Sequence, residues 1–369
     1  MKKMPNPKTA AGLALLGAAL LMGHSAAWAW GHPGHQLIGS LADELLAGSK
    51  AARSVATILG PGVKNLKTAA PWPDCARSVE RTAAGMFVYN DHTKYHSPVC
   101  VPFEGKLGEK TFSERRRMED YVKRNWSNCP GEGTHAPKEC HEAYHFTDVA
   151  IQRDDYSRAY AGTAEHDIVG ALDAALKVLR GEPPDPAFSI KDKKEALLLI
   201  AHLVGDLHQP LHVGSVYLSD SGALADPGPS TAVVDPTTLT RGGNKLEIGG
   251  DSNLHADWDS VPSNITLGGL ATGPGQKRRQ VLMAAARAVP ATSGPVAAWP
   301  VTWASDTVLI SHQAFPGLRF SRKGALKAGD WAVQFNDLAG YEAAKDRLQT
   351  QQVEKAAARL AALLRAVFP

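Results

Sequence analysis

The stretch AHLVGDLHQPLH (201–212) sets three histidines and an aspartate into a segment apolar enough to be a central helix. Burying an unpaired carboxylate carries a large desolvation penalty, so Asp206 needs partners. His202 and Asp206 are four residues apart, share one helical face and can ligate one centre. Pro210 disfavours helical backbone at Gln209, and that break can swing His212 towards a neighbouring centre. His208 falls on a different face, where it either hydrogen-bonds to a ligand or takes no part. The pattern points to a metal centre rather than a structural polar network.

A second cluster repeats the spacing. In NLHADWD (253–259), His255 and Asp259 are again four apart, and Asn253 is placed to cap the helix that carries them. Alone, such a pair is equally at home on a surface. Beside the first cluster it reads as the other half of a multinuclear site. Imidazole together with carboxylate suits zinc, whose catalytic sites keep one position open for water.

The rest of the chain is read as helical. HQLIGSLADELLAG has apolar residues at helical spacing and ends at Gly48. TFSERRRMEDYVKRNW opens with a Thr-x-x-Glu capping box at Thr111 and Glu114. AEHDIVGALDAALKVLRG stops at Gly181, before Pro183 and Pro184. From about 341 to 367, Leu360, Leu363 and Leu364 fall on one stripe. Strand patterns are sparse, and 215–243, rich in Ser, Pro, Gly and Asp, reads as an extended surface loop. A mainly α fold is expected, with long loops and a single catalytic domain over 30–369.

Residues 1–29 have the parts of a secretory signal: Lys2, Lys3 and Lys8, the apolar run GLALLGAALLMG, and Ala27-Trp28-Ala29 as the cleavage pattern. The run is too short for a transmembrane anchor. The expected mature protein begins at Trp30 and is secreted or periplasmic. The formal net charge of +3 comes from 40 Lys+Arg against 37 Asp+Glu. The signal holds three lysines and no acids, so the remainder is 37 against 37, which argues against a broad basic footprint for duplex nucleic acid. A local grip on phosphate through metal remains open. Cys75, Cys100, Cys129 and Cys140 form an even, clustered set without a Cys-x-x-Cys pair. In an exported chain they suggest two disulfides, with three connectivities available.

Six motifs then occur in a specific order: W-G-x-x-G-H at 30–35, W-x-D-x-x-R at 72–77, H-F-x-D at 145–148, H-x-x-G-D-x-H-Q-P-L-H at 202–212, G-G-N at 242–244 and N-L-H-x-x-W-D at 253–259. In this the chain resembles the zinc-dependent single-strand-specific nucleases of the mung bean nuclease, nuclease P-one and nuclease S-one type. The resemblance implies a mainly helical domain with three zinc ions per chain in a cleft. One zinc would be held by Asp74, His145, His202 and Asp206. A second, bridged by Asp206, would take His35 with the amino nitrogen and carbonyl oxygen of Trp30. The third would use His212, His255 and Asp259. Cleavage before Trp30 would then be an activation step, since a free α-amino group with a pKa near 8 gives up its proton to zinc at modest cost.

The same resemblance gives Asp74, Arg77 and Asp206 catalytic roles, with Arg77 steadying charge on the phosphoryl oxygens. Phe146 would stack on a base, and Asp148 and Asn244 would contact it. The implied activity is hydrolysis of single-stranded DNA and RNA to 5′-phosphate products by water that zinc acidifies to a pKa of about 7. A 3′-nucleotidase activity is an open extension. Nucleotides and single strands are the implied partners; no stable protein partner is implied.

Between Asp74 and His145 the chain is longer than the fungal members. The cysteine-containing insertion, at about 78–140, is expected to form a disulfide-tied, partly helical flap. Its run NDHTKYHSP makes His96 a rival to His145, which the HFTD context favours. Arg115, Arg116 and Arg117 are expected on a solvated helix face or against substrate. Two rival functions stand beside the nuclease. A zinc-dependent phospholipase C shares the scaffold but places glutamate at the Asp259 position and lacks HFxD and GGN. A noncatalytic exported zinc module has no use for Arg77.

Overall fold

The computed structural model describes residues 30–129, 139–250, 252–271, 273–322 and 330–369; the expected signal segment lies outside the described residues. Among the described residues twelve α-helices follow in chain order: α1 (Gly31–Leu46), α2 (Lys50–Val63), α3 (Leu66–Ala69), α4 (Trp72–Ala76), α5 (Phe112–Arg124), α6 (Cys140–Ala143), α7 (Ile168–Arg180), α8 (Lys193–Asp206), α9 (Leu254–Asp259), α10 (Gly273–Ala288), α11 (Trp299–Ser311) and α12 (Leu338–Val367). None of the described helices is long and apolar enough to cross a membrane.

Helix α8 is the axis of the molecule. Asp192 caps it by accepting from the Glu195 amide at 2.9 Å, and every residue from Glu195 to Asp206 is buried. It is surrounded by α1, α2, α3, α4, α7 and α12. A helix so enclosed is apolar all round, and among its buried residues this one departs from that at Glu195 and at the residues singled out above. Asp167 caps α7 through the Val169 and Gly170 amides, and Gly181, at φ 89°, ends it. Leu360, Leu363 and Leu364 are buried as the stripe on α12 predicts.

A smaller apolar cluster holds the other end of the molecule. Leu211, Leu246, Leu254, Trp258, Phe315 and Trp331 pack there with a short four-stranded sheet. In it Trp331–Phe335 lies between Leu318–Arg322, antiparallel, and Leu246–Gly249, parallel. Helix α9 leaves this sheet directly, with Asn253 accepting from the Ala256 amide at 2.8 Å as its cap.

Four expectations change. The insertion is no flap: Met118, Tyr121 and Val122, spaced for one helical face, are buried in the main core. From α5, Arg117 bonds Asp192 at 2.8 and 2.9 Å and Arg124 bonds Glu195 at 2.8 and 2.9 Å. The insertion therefore clamps the start of α8. Arg115 and Arg116 pair with Glu119, so only Arg116 is largely solvated. Thr111 precedes α5 without a side-chain cap, and Glu114 accepts from Lys194 at 2.5 Å instead of reaching back, so neither half of the capping box forms. The supposed loop after 214 starts inside: Gly214–Ser215 pairs with Val149–Ala150, and Val216, Tyr217 and Leu218 are buried. The cysteines pair as Cys75–Cys100 and Cys129–Cys140.

Candidate metal centre

The last turn of α8 brings His202 and Asp206 inward together. His202 Nδ1 lies 2.7 Å from the Ala70 carbonyl, which can only accept, so Nδ1 carries the proton and Nε2 is the free lone pair. His212 repeats this with the His145 carbonyl at 2.7 Å, and His255 with the Gly242 carbonyl at 2.7 Å. In a neutral ring this leaves Nε2 bare and aimed at carboxylate, the tautomer a metal ligand needs. His145 Nδ1, His202 Nε2 and Asp206 Oδ2 lie 2.9 to 3.0 Å from one another. Asp206 Oδ1 turns the other way, 3.1 Å from His35 Nε2, without hydrogen-bonding geometry. One carboxylate thus faces two sets of imidazoles.

Asp74, in α4, is fully buried, and neither of its oxygens accepts a hydrogen bond. His202 Nε2 stands 3.9 Å away, His32 Nδ1 3.8 Å and Arg77 Nη1 3.8 Å. A buried carboxylate ringed by such groups, yet bonded to none, is an orphan that a cation would satisfy. The described residues contain three groups whose donor atoms lie within 4.8 Å of one another: His35, His202 and Asp206; Asp74, His145 and His202; His212, His255 and Asp259.

The third group depends on the break after α8. Gln209 is extended, and Pro210–His212 forms a 3₁₀ turn that carries His212 to Asp259, with Nε2 3.5 Å from Oδ1. His255 Nε2 is 3.4 Å from the other oxygen of Asp259. Gln209 donates from Nε2 to Asp259 Oδ1 at 2.6 Å, a contact that only the neighbouring HQPLH motif hints at.

Trp30 and His35 approach from α1. Trp30 is fully buried, and its indole donates to the Gly205 carbonyl at 2.8 Å. The His35 and His202 rings stack with centroids 3.8 Å apart. Gly205 makes this possible, since a Cβ there would lie 3.0 Å from His35 Nδ1. Gly242 has a similar role: at φ 56° its Cβ would sit 2.2 Å from the Leu211 carbonyl oxygen. The GGN motif therefore builds the third group besides leading to Asn244.

The electrostatics of the site follow from crowding charge in a dry place. Burial pushes His35, His145 and His255 down. Burial also opposes charge on His212, but Asp206 and Asp259 outweigh it and raise its pKa to about 9. His202 is raised in the same way by Asp206 and Asp74. Asp206 is held well below the carboxylate range by His202, His35 and His212, against its burial. The carboxylates thus favour positive charge beside His202 and His212, as they would favour a cation.

The remaining predicted residues lie as follows. His96 bonds Glu104 at 3.0 Å and belongs to none of the three groups, whereas His145 does. His208 points away, between the Val204 carbonyl and Arg359. Phe146 is half-buried and Asn244 is exposed, its amide donating to the Arg241 carbonyl at 3.0 Å. Asp148 is buried, and burial pushes its pKa up to about 6 against the opposing pull of Arg241. Tyr217 donates to the Asp148 carbonyl at 2.7 Å and fixes that strand.

The S1/P1 Nuclease family model matches residues 117–369. Nuclease P1 of Penicillium citrinum and nuclease PA3 of a Penicillium species are each 27% identical over 173 residues, 42% of this chain and 52% of theirs. The chain spans about half the length of these curated relatives. Trp30, His35, Asp74 and Arg77 precede the family match, yet the fold brings them onto residues inside it. The chain belongs to the S1/P1 nuclease family.

Proposed function

We propose that this chain is an exported, zinc-dependent phosphodiesterase that hydrolyses single-stranded DNA and RNA and leaves 5′-phosphates. The observation that carries the reading is the set of imidazoles locked by backbone carbonyls so that bare nitrogens face Asp74, Asp206 and Asp259. Three zinc ions would be held by Asp74, His145, His202 and Asp206; by Trp30, His35 and Asp206; and by His212, His255 and Asp259. Bound zinc supplies Lewis-acid charge to the phosphoryl group and acidifies water near neutral pH.

The chain's own residues do the rest. Arg77 stays charged despite its partial burial, because Glu142, Asp74 and Tyr95 favour the cation, and it can neutralise charge growing on a phosphoryl oxygen. Asp74 and Asp206, fully buried, hold charge in a place that water cannot screen. Phe146 offers a face for a base, while Asp148 and Asn244 offer polar contacts to its edge. A base must leave its own stack to use such a platform, which favours single strands. Residues 30–369 form the catalytic domain in this reading, with 1–29 removed on export. The two disulfides fit an oxidising compartment.

The test uses protein beginning at Trp30, offered denatured DNA, duplex DNA and phosphatidylcholine, with chelator and with zinc restored. Cleavage of denatured DNA that zinc rescues supports the reading. Turnover of lipid alone would replace it with a phospholipase C, and zinc binding without turnover with a binding module.

A further inference from the structure

We propose that Tyr95 is a positioning residue for Arg77, so that the insertion supplies part of the phosphate-binding apparatus. This rests on the reading that Arg77 meets a phosphoryl oxygen. Arg77 ends α4, and its guanidinium carbon lies 4.4 Å from the centre of the Tyr95 ring. Its Nε is 3.5 Å from Glu142 Oε1 and its Nη1 3.8 Å from Asp74 Oδ1. Glu142 occupies one donor, but an aromatic face holds a guanidinium without using any N–H group. The ring face and the Tyr95 hydroxyl, which also bonds the guanidinium, therefore fix the plane of Arg77 and leave the donors that Glu142 does not take available for phosphate. Lys94 also approaches the ring, at 4.9 Å, but from an exposed position and less closely.

The loop carrying Tyr95 is tethered on both sides of Arg77. The Asn90 amide donates to the Ser78 carbonyl at 2.9 Å, and the Ser78 and Thr93 hydroxyls are 2.8 Å apart. Thr93 Oγ1 accepts from the Tyr95 amide at 3.3 Å. At its far end, Cys100 is bonded to Cys75. Ser78 and Cys75 flank Arg77 by one and two residues, so the loop is stapled around the arginine it covers. A surface flap would need none of these anchors.

The test compares Tyr95→Leu and Tyr95→Phe, alone and with Arg77→Ala, in zinc-loaded protein. Denatured-DNA kinetics and calorimetric binding of inorganic phosphate are the readouts, with zinc content and Tm measured beside them. Tyr95→Leu is expected to lower kcat and phosphate affinity roughly tenfold, the size of a lost cation–π contact, with KM for DNA little changed. Tyr95→Phe, which keeps the ring and loses only the hydroxyl contact, should retain most of what Tyr95→Leu loses, and Tyr95→Leu should add nothing once Arg77 is Ala. An equal loss in the Arg77→Ala background, a Phe variant as impaired as the Leu variant, or unchanged kcat and phosphate affinity in Tyr95→Leu would each overturn the assignment. If the parent binds phosphate through Arg77 but leaves DNA intact, the nuclease reading fails and the phosphate titration alone decides the role of Tyr95.

Discussion

Gln209 and Asp259, fifty residues apart, are joined by a 2.6 Å hydrogen bond from Nε2 to Oδ1. The other end of the same amide accepts from the Leu211 backbone, so Gln209 sets the turn that delivers His212 as well as the carboxylate that meets it. Both residues are buried, and nothing in solvent can replace the contact. Gln209→Leu should weaken metal binding at the His212, His255 and Asp259 group by about 10- to 100-fold and spare the other two. Chelator titration followed by metal analysis checks this. Simultaneous loss of all metal would show that Gln209 serves the fold instead.

Asp206→Asn keeps the shape of the side chain and removes its charge. Because one oxygen faces His35 and the other His145 and His202, both groups should lose zinc together and activity should fall steeply. Metal content and activity are measured on the same sample. Loss from one group alone would remove the bridging role.

Asp148 makes stability depend on pH. Its folded pKa, about 6, lies above the ordinary 3.8, so the folded state prefers the neutral acid. Its stabilising contribution is complete below pH 4 and is lost as pH rises through 6. In metal-free protein, Asp148→Asn should be about 3 kcal/mol more stable than the parent at pH 8, with the difference closing towards pH 4. Denaturant unfolding in chelator at the two pH values is the check. A constant difference would mean that the carboxyl does not titrate in this range.

The His–Asp pairs were legible because their signal is local: His202 with Asp206 and His255 with Asp259 each declare one helical face within four residues. Pro210 likewise announced the bend that turns His212 aside. What the sequence left open depends on partners far along the chain. The apolar face of Met118, Tyr121 and Val122 can be read from spacing, but its packing against the core cannot, nor can the ion pairs from α5 to Asp192 and Glu195. The flap expectation failed for that reason. Disulfide pairing, the burial of Val216 to Leu218 and the approach of Tyr95 to Arg77 belong to the same class. The resemblance gives GGN a purpose through Asn244, and the closeness of Gly242 to Leu211 gives the motif a second one.

Zinc counted per chain by elemental analysis, on fully loaded protein whose first residue is Trp30, bears most directly on whether these side chains converge on metal. The same protein with one residue added before Trp30 is the partner sample. Three zinc ions are expected in the first, and fewer in the second at an unchanged Tm, because the buried Trp30 would then offer an amide in place of an amine. A chain starting at Trp30 that retains at most one zinc would contradict the convergence outright.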